Sequence, residues 1–179
     1  MRAFAVVCGA MFCLSGCVEA FGDKNPYEPG EALGTFHVTA QQTANDCGEG
    51  ALGAPVAWDF DVKLAWEERS LFWDSGGQII VGSLSEDRSS FEISTVVVQD
   101  MRTASDGGLP PCSMERTDVA KGTLTAEGEG VSAAQGTLSY SFQPTAGSMC
   151  ADLVDGEEPL FASLPCEIKY AFKAPRTGD

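Results

Sequence analysis

Apolar residues recur at every second position over much of this chain, and that period predicts β-strands. The clearest stretch is 57–66, where Trp58, Phe60, Val62, Leu64 and Trp66 share one face against Asp59, Asp61 and Lys63. Residues 166–173 set Cys166, Ile168, Tyr170 and Phe172 against Glu167, Lys169 and Lys173, and 137–143 set Leu138, Tyr140 and Phe142 against serines and threonine. Phe36, Val38 and Ala40 do the same in 35–41, leaving His37 on the polar face. Segments 71–74 and 78–84 flank Asp74-Ser75-Gly76-Gly77, a hairpin signal. Residues 91–99 and 116–125 read as strands by composition, although their faces are ambiguous. The turn after 116–125 is expected within Gly128–Gly136. No stretch keeps a 3.6-residue period over three turns, so the expectation is all-β with about eight antiparallel strands.

The first residues break this pattern. Met1-Arg2 is followed by an uncharged apolar run, Ala3–Leu14, and then by Ser15-Gly16-Cys17. Twelve apolar residues suit a signal-peptide core, whereas a spanning helix needs about 20. Leu14-Ser15-Gly16-Cys17 resembles the bacterial lipobox. That resemblance implies cleavage before Cys17 and acylation (palmitate among the chains) of its thiol and its new amino group. Val18 and Glu19 follow, with no aspartate beside Cys17, which by the same resemblance favours the outer membrane. Residues 1–16 are thus expected to be a lipoprotein signal peptide, and 17–32 the lipidated cysteine with an acidic Pro/Gly tether. A single β domain would occupy 33–176, with a short tail at 177–179.

Export changes how the cysteines are read. Of seven, Cys8 and Cys13 leave with the signal and Cys17 is the lipid site; Cys47, Cys112, Cys150 and Cys166 are an even set in an oxidising compartment. A zinc site is the rival, but there is no C-x-x-C pair and only one histidine. With strand directions alternating, the end reached after the first strand, the top, collects the long connections 42–56, 100–114 and 144–165 and all four cysteines. Cys112 and Cys150 then flank neighbouring strands. Cys47 and Cys166 become neighbours only if the sheet closes on itself. An up-and-down eight-stranded barrel therefore predicts Cys47–Cys166 and Cys112–Cys150. A two-sheet sandwich has the same alternation and is the alternative.

Charge and motifs narrow the function. Asp plus Glu number 26 against 11 Lys plus Arg, for a net charge of −15; losing Arg2 leaves 26 against 10, or −16. Such a chain repels phosphate backbones, so nucleic acid is not an expected partner. His37 stands alone, without a G-x-S-x-G nucleophile, and reads as an exposed surface residue. No phosphate-binding glycine loop, cofactor motif or metal motif is present. Asp59/Asp61, Glu67-Glu68 and the acidic loop Asp155-Gly156-Glu157-Glu158 read as solvated surface, with weak calcium binding as the alternative. Trp58, Phe60, Trp66, Tyr140, Phe142, Tyr170 and Phe172 project to the inner face, where an eight-stranded barrel either packs them or leaves room for one small ligand. The chain resembles lipocalins in strand count and size, but Gly34-Thr35-Phe36 stands where that family has glycine-x-tryptophan. Lipobox, acidic linker and four-cysteine β domain together resemble envelope lipoproteins of myxobacteria and related proteobacteria, a likeness that implies no activity. The expectation is a non-enzymatic, membrane-anchored envelope protein that binds another envelope component, the alternative being a carrier of a small apolar ligand.

Overall fold

The computed structural model describes residues 29–49, 51, 55–103, 108–128, 130–156 and 158–178. Residues 1–28, which hold the expected signal peptide, Cys17 and most of the expected tether, lie outside these residues. Eight strands follow one another: β1 (Glu31–Asn45), β2 (Ala57–Glu67), β3 (Ser70–Asp74), β4 (Ile80–Leu84), β5 (Ser90–Arg102), β6 (Cys112–Glu127), β7 (Gly130–Pro144) and β8 (Cys166–Gly178). Each pairs antiparallel with the next, and β8 returns to β1, closing an up-and-down barrel. The barrel excludes the sandwich.

Closure follows from the period-two pattern, which turns one face of every strand inward. Phe36, Val38 and Ala40 of β1, Val62 and Leu64 of β2, and Ile168, Tyr170 and Phe172 of β8 are all buried. Outward positions of β7 and β8 carry Gln135, Thr137, Ser139, Ser141, Glu167, Lys169 and Lys173. That is the reverse of a barrel facing lipid, whose outer band is apolar. No helix among the described residues is long and apolar enough to cross a membrane.

The bottom end is tightly turned and closed by Leu33, Leu71, Leu84, Leu124 and Val131. The strands run further than the sequence pattern indicates. Gly128 already makes the β6–β7 turn, and β7 starts at Gly130 rather than near 137. The pattern is hidden there because the inward positions are small. Gly122 of β6 faces Gly136 of β7, and the gap is filled by Phe91 and Phe172, whose rings lie 6.5 Å apart. A Cβ on Gly136 would collide with the Lys121 carbonyl oxygen. The structure also adds one short helix that the pattern did not predict, α1 (Asp152–Asp155), in the last top connection.

Candidate functional site

Both disulfides form as the closed barrel requires: Cys47–Cys166 with S–S 2.13 Å and Cys112–Cys150 with S–S 2.01 Å. They hold a cap over one side of the top. Cys47 and Cys150 bring the connections after β1 and β7 onto the ends of β8 and β6. Between them, Phe161 is fully buried against Phe142, with ring centroids 5.5 Å apart. The Phe161 N–H donates to the Leu153 carbonyl at 3.0 Å, and the Ala162 N–H to the Cys47 carbonyl at 2.7 Å. Tyr170 donates its hydroxyl to the Pro55 carbonyl at 2.6 Å, tying the first connection down. Arg102 joins the β5–β6 connection to α1: it donates to both Asp152 carboxylate oxygens and to the Met149 and Pro110 carbonyls. With their thiols in disulfides, Cys47 and Cys166 offer no thiolate to a metal, although Asp46 lies beside them.

The other side of the top is open because β3 and β4 are only five residues each, while β5, β6 and β7 run on for 13 to 16. Among the described residues β4 pairs with β5 only at Ser83–Glu92 and Leu84–Phe91. A cavity of about 440 Å³ enters the barrel there, within the size range of small-molecule sites. Its aromatic wall is a run of four rings, Trp73, Phe60, Trp58 and Tyr140, with successive centroids 6.4, 6.4 and 6.2 Å apart. Ile80, Ile93, Val119, Ala120 and Leu138 add aliphatic lining, and Thr95 and Asp118 bring polar groups into it.

Asp118 is one half of a charge pair on the barrel's inner face. It lies opposite Tyr140 on β7 and Thr95 on β5, and Arg116 lies opposite Phe142 and Val97. Residues directly opposite share a face, so both charges point inward. Arg116 forks onto Asp118 with Nε–Oδ1 2.7 Å and a second bond of 2.8 Å, the bidentate geometry that a guanidinium favours. The Arg116 guanidinium also stands 5.9 Å from the Tyr140 ring centre. Burial pushes the Tyr140 hydroxyl up to about 12, and the Asp118 charge adds to that shift more than Arg116 opposes it. Trp58 buries its indole N–H without a hydrogen-bond partner. That N–H lies near enough to Tyr170 to oppose the rise that burial causes in the tyrosine's pKa.

Of the seven aromatic residues expected to line a pocket, Trp58, Phe60 and Tyr140 do so. The others lie elsewhere, because a filled barrel consumes rings at every level. Phe142 packs under the cap, Tyr170 is fully buried behind Trp58, and Phe172 lies between Trp73 and Phe91. Trp66 sits at the bottom, donating to Glu31 at 3.0 Å, with the Arg88 guanidinium 4.6 Å from its ring centre. The pattern missed Trp73 and the Arg116–Asp118 pair. Their signal was the inward series Met114, Arg116, Asp118, Ala120, in which two charges replace apolar residues.

On the outer face His37 is not a free surface residue. It sits opposite Asp61 in the β1–β2 ladder, with Nδ1 2.8 Å from Asp61 and Nε2 3.3 Å from Asp59. The Asp61 hydrogen bond is the largest influence raising its pKa above the ordinary 6.5; partial burial opposes it and the Asp59 charge adds to it. Both ring nitrogens face carboxylates, so neither is left to activate a nucleophile. Of the acidic loop, Glu157 lies outside the described residues.

Comparison with known proteins leaves this geometry to speak for itself: no family model matches the chain, and neither a curated protein nor a solved structure does.

Proposed function

We propose that this is a lipid-anchored protein of the bacterial cell envelope, on the outer membrane by the sorting resemblance, that binds a small molecule non-enzymatically in the open mouth of its barrel. The observation that carries the binding reading is the 440 Å³ aromatic cavity beside a doubly cross-linked cap. The cavity's concave form, with inward-facing rings left part-exposed by the short β3–β4 hairpin and a few polar groups beside them, is the form small-molecule sites take. The lipobox at Leu14–Cys17 supports the anchor. Several acyl chains at ~0.8 kcal/mol per buried CH₂ hold a protein at a membrane essentially permanently.

The N-terminal end of β1 is at the bottom, so the tether enters opposite the mouth. That orientation supports a cavity open to the aqueous side of the membrane. Two measurements test the reading separately. Incorporation of labelled palmitate that Cys17→Ala abolishes supports the anchor; unchanged labelling removes it. Native mass spectrometry of the exported chain should show an added mass of a few hundred daltons that denaturation releases. A bare mass, together with no change in tryptophan emission on adding small apolar probes, would remove the binding reading.

A further inference from the structure

The lining of the mouth is selective in charge as well as in shape. Among the described residues that line it the carboxylates are Asp59, at the rim and turned outward to His37, and Asp118; no lysine, arginine or histidine is among them, and the nearby Arg116 guanidinium is bound to Asp118. Trp58, Phe60, Trp73 and Tyr140 present their rings to the same space. Aromatic faces carry negative partial charge and attract cations, tryptophan most strongly, and the attraction grows when water is excluded. The chain already uses this chemistry twice, with the Arg116 guanidinium over Tyr140 and the Arg88 guanidinium over Trp66.

We infer that the mouth takes an amphipathic organic cation, a quaternary or protonated amine carried on an apolar body, with the cationic group between the aromatic wall and Asp118. This rests on the binding reading above and names its ligand class. Arg116 offsets Asp118 only in part: at Tyr140 the carboxylate outweighs the guanidinium. Each oxygen of Asp118 accepts one bond from Arg116, leaving a second lone pair on each for the N–H of a protonated amine; a quaternary group meets the carboxylate by charge alone. The apolar body of the ligand meets Ile80, Ile93 and Leu138. The net charge of −15 raises the local concentration of cations and repels anionic amphiphiles of the same size.

The test is a matched series on the full chain purified from an exporting host, read by tryptophan emission and calorimetry. Its members are benzyltrimethylammonium, its neutral carbon isostere neopentylbenzene, and phenylmethanesulfonate. The cation should bind at least tenfold more tightly than the isostere, and the anion should not bind. Asp118→Asn should weaken the cation about tenfold and leave the isostere unchanged. Arg116→Gln removes the competing guanidinium and should tighten the cation. A purely structural role for the pair would move both variants the same way, which overturns the inference. Equal affinity for cation and isostere overturns it too, while leaving the binding reading intact. No response to any of the three at millimolar concentration removes both.

Discussion

Removing the disulfides one at a time should rank them by the chain each encloses, because a cross-link acts mainly by restricting the unfolded state. Cys47–Cys166 spans 119 residues and Cys112–Cys150 spans 38, and the shorter loop is nested inside the longer. Alone, the loop-entropy relation gives roughly 4.9 kcal/mol for the long bridge and roughly 3.9 for the short one. Nesting changes this. With Cys112–Cys150 closed, the outer loop short-cuts through it, and 119 less 38 leaves 81 residues. The long bridge then contributes roughly 4.5 kcal/mol, and the pair together roughly 8.4. Loss of the long bridge from the intact protein should therefore cost about 4.5 kcal/mol, and loss of the short one about 3.5. All four cysteines are buried, so alanine empties similar volume at either site and the ranking survives. The assay is urea unfolding of Cys47→Ala/Cys166→Ala and Cys112→Ala/Cys150→Ala, with a steeper denaturant dependence expected as the unfolded chain expands. A greater loss from the short bridge would refute the reasoning and locate the stabilisation in native contacts of the cap. Removal of both approaches the whole stability of an ordinary domain, about 5–15 kcal/mol, and should leave the chain largely unfolded.

Three further outcomes follow from particular contacts. Phe161→Ala should cost about 3–5 kcal/mol, because a fully buried ring is lost from under the cap; urea unfolding reads it, and a cost below about 1 would mean that the cap is not packed as described. Gly136→Ala should destabilise by more than the ~1 kcal/mol of an ordinary strand substitution, since the new methyl meets the Lys121 carbonyl; an increase in melting temperature would contradict the tight β6–β7 approach. His37, with its folded pKa raised, contributes stability that is fully present below 6.5 and is lost as pH rises through the raised value. An NMR titration of the single histidine should therefore show a pKa above 6.5, and His37→Gln should flatten the stability profile over that window; a midpoint below 6.5 would break the assignment to Asp61 and Asp59.

The fold was legible wherever inward residues were large. Trp58 to Trp66 and Cys166 to Phe172 alternate cleanly, but alternation alone is shared by barrel and sandwich; four cysteines at one end made Cys47–Cys166 and Cys112–Cys150 the pairing a closed barrel requires, and the structure shows both the closure and the pairs. Legibility failed where small residues or charges stood inward. Gly122 and Gly136 carry no hydrophobic signal, so the start of β7 looks like turn in the sequence, although the pair lets β6 and β7 approach beneath Phe91 and Phe172. Arg116 and Asp118 broke the apolar period of β6, and only the register against Tyr140 and Phe142 shows that they face the interior. The candidate site was half visible for the same reason. Its rings obey the period, but the choice between packing and lining depends on strand length and on the cap, which are properties of the assembled barrel.

Strand length also bears on how a ligand reaches the mouth. β1 has 15 residues and rises from the end where the tether enters. The cavity's Phe60 and Trp58 pair with Val38 and Ala40, seven and nine residues beyond Glu31; at ~3.3 Å per residue and a barrel tilt near 40°, that places the mouth roughly 18–23 Å above the bottom. With Cys17 lipidated, as proposed, the cavity stands away from the bilayer and its occupant arrives through water. A long-chain lipid would have to leave the membrane completely to get there, at ~0.8 kcal/mol for each CH₂ exposed on the way. A compact amine with a small apolar body meets no such barrier, and the acidic surface draws it in. The short β3–β4 hairpin, which opens the mouth, and the long β1, which lifts it from the tether, therefore favour the same class of ligand that Asp118 and the aromatic wall select.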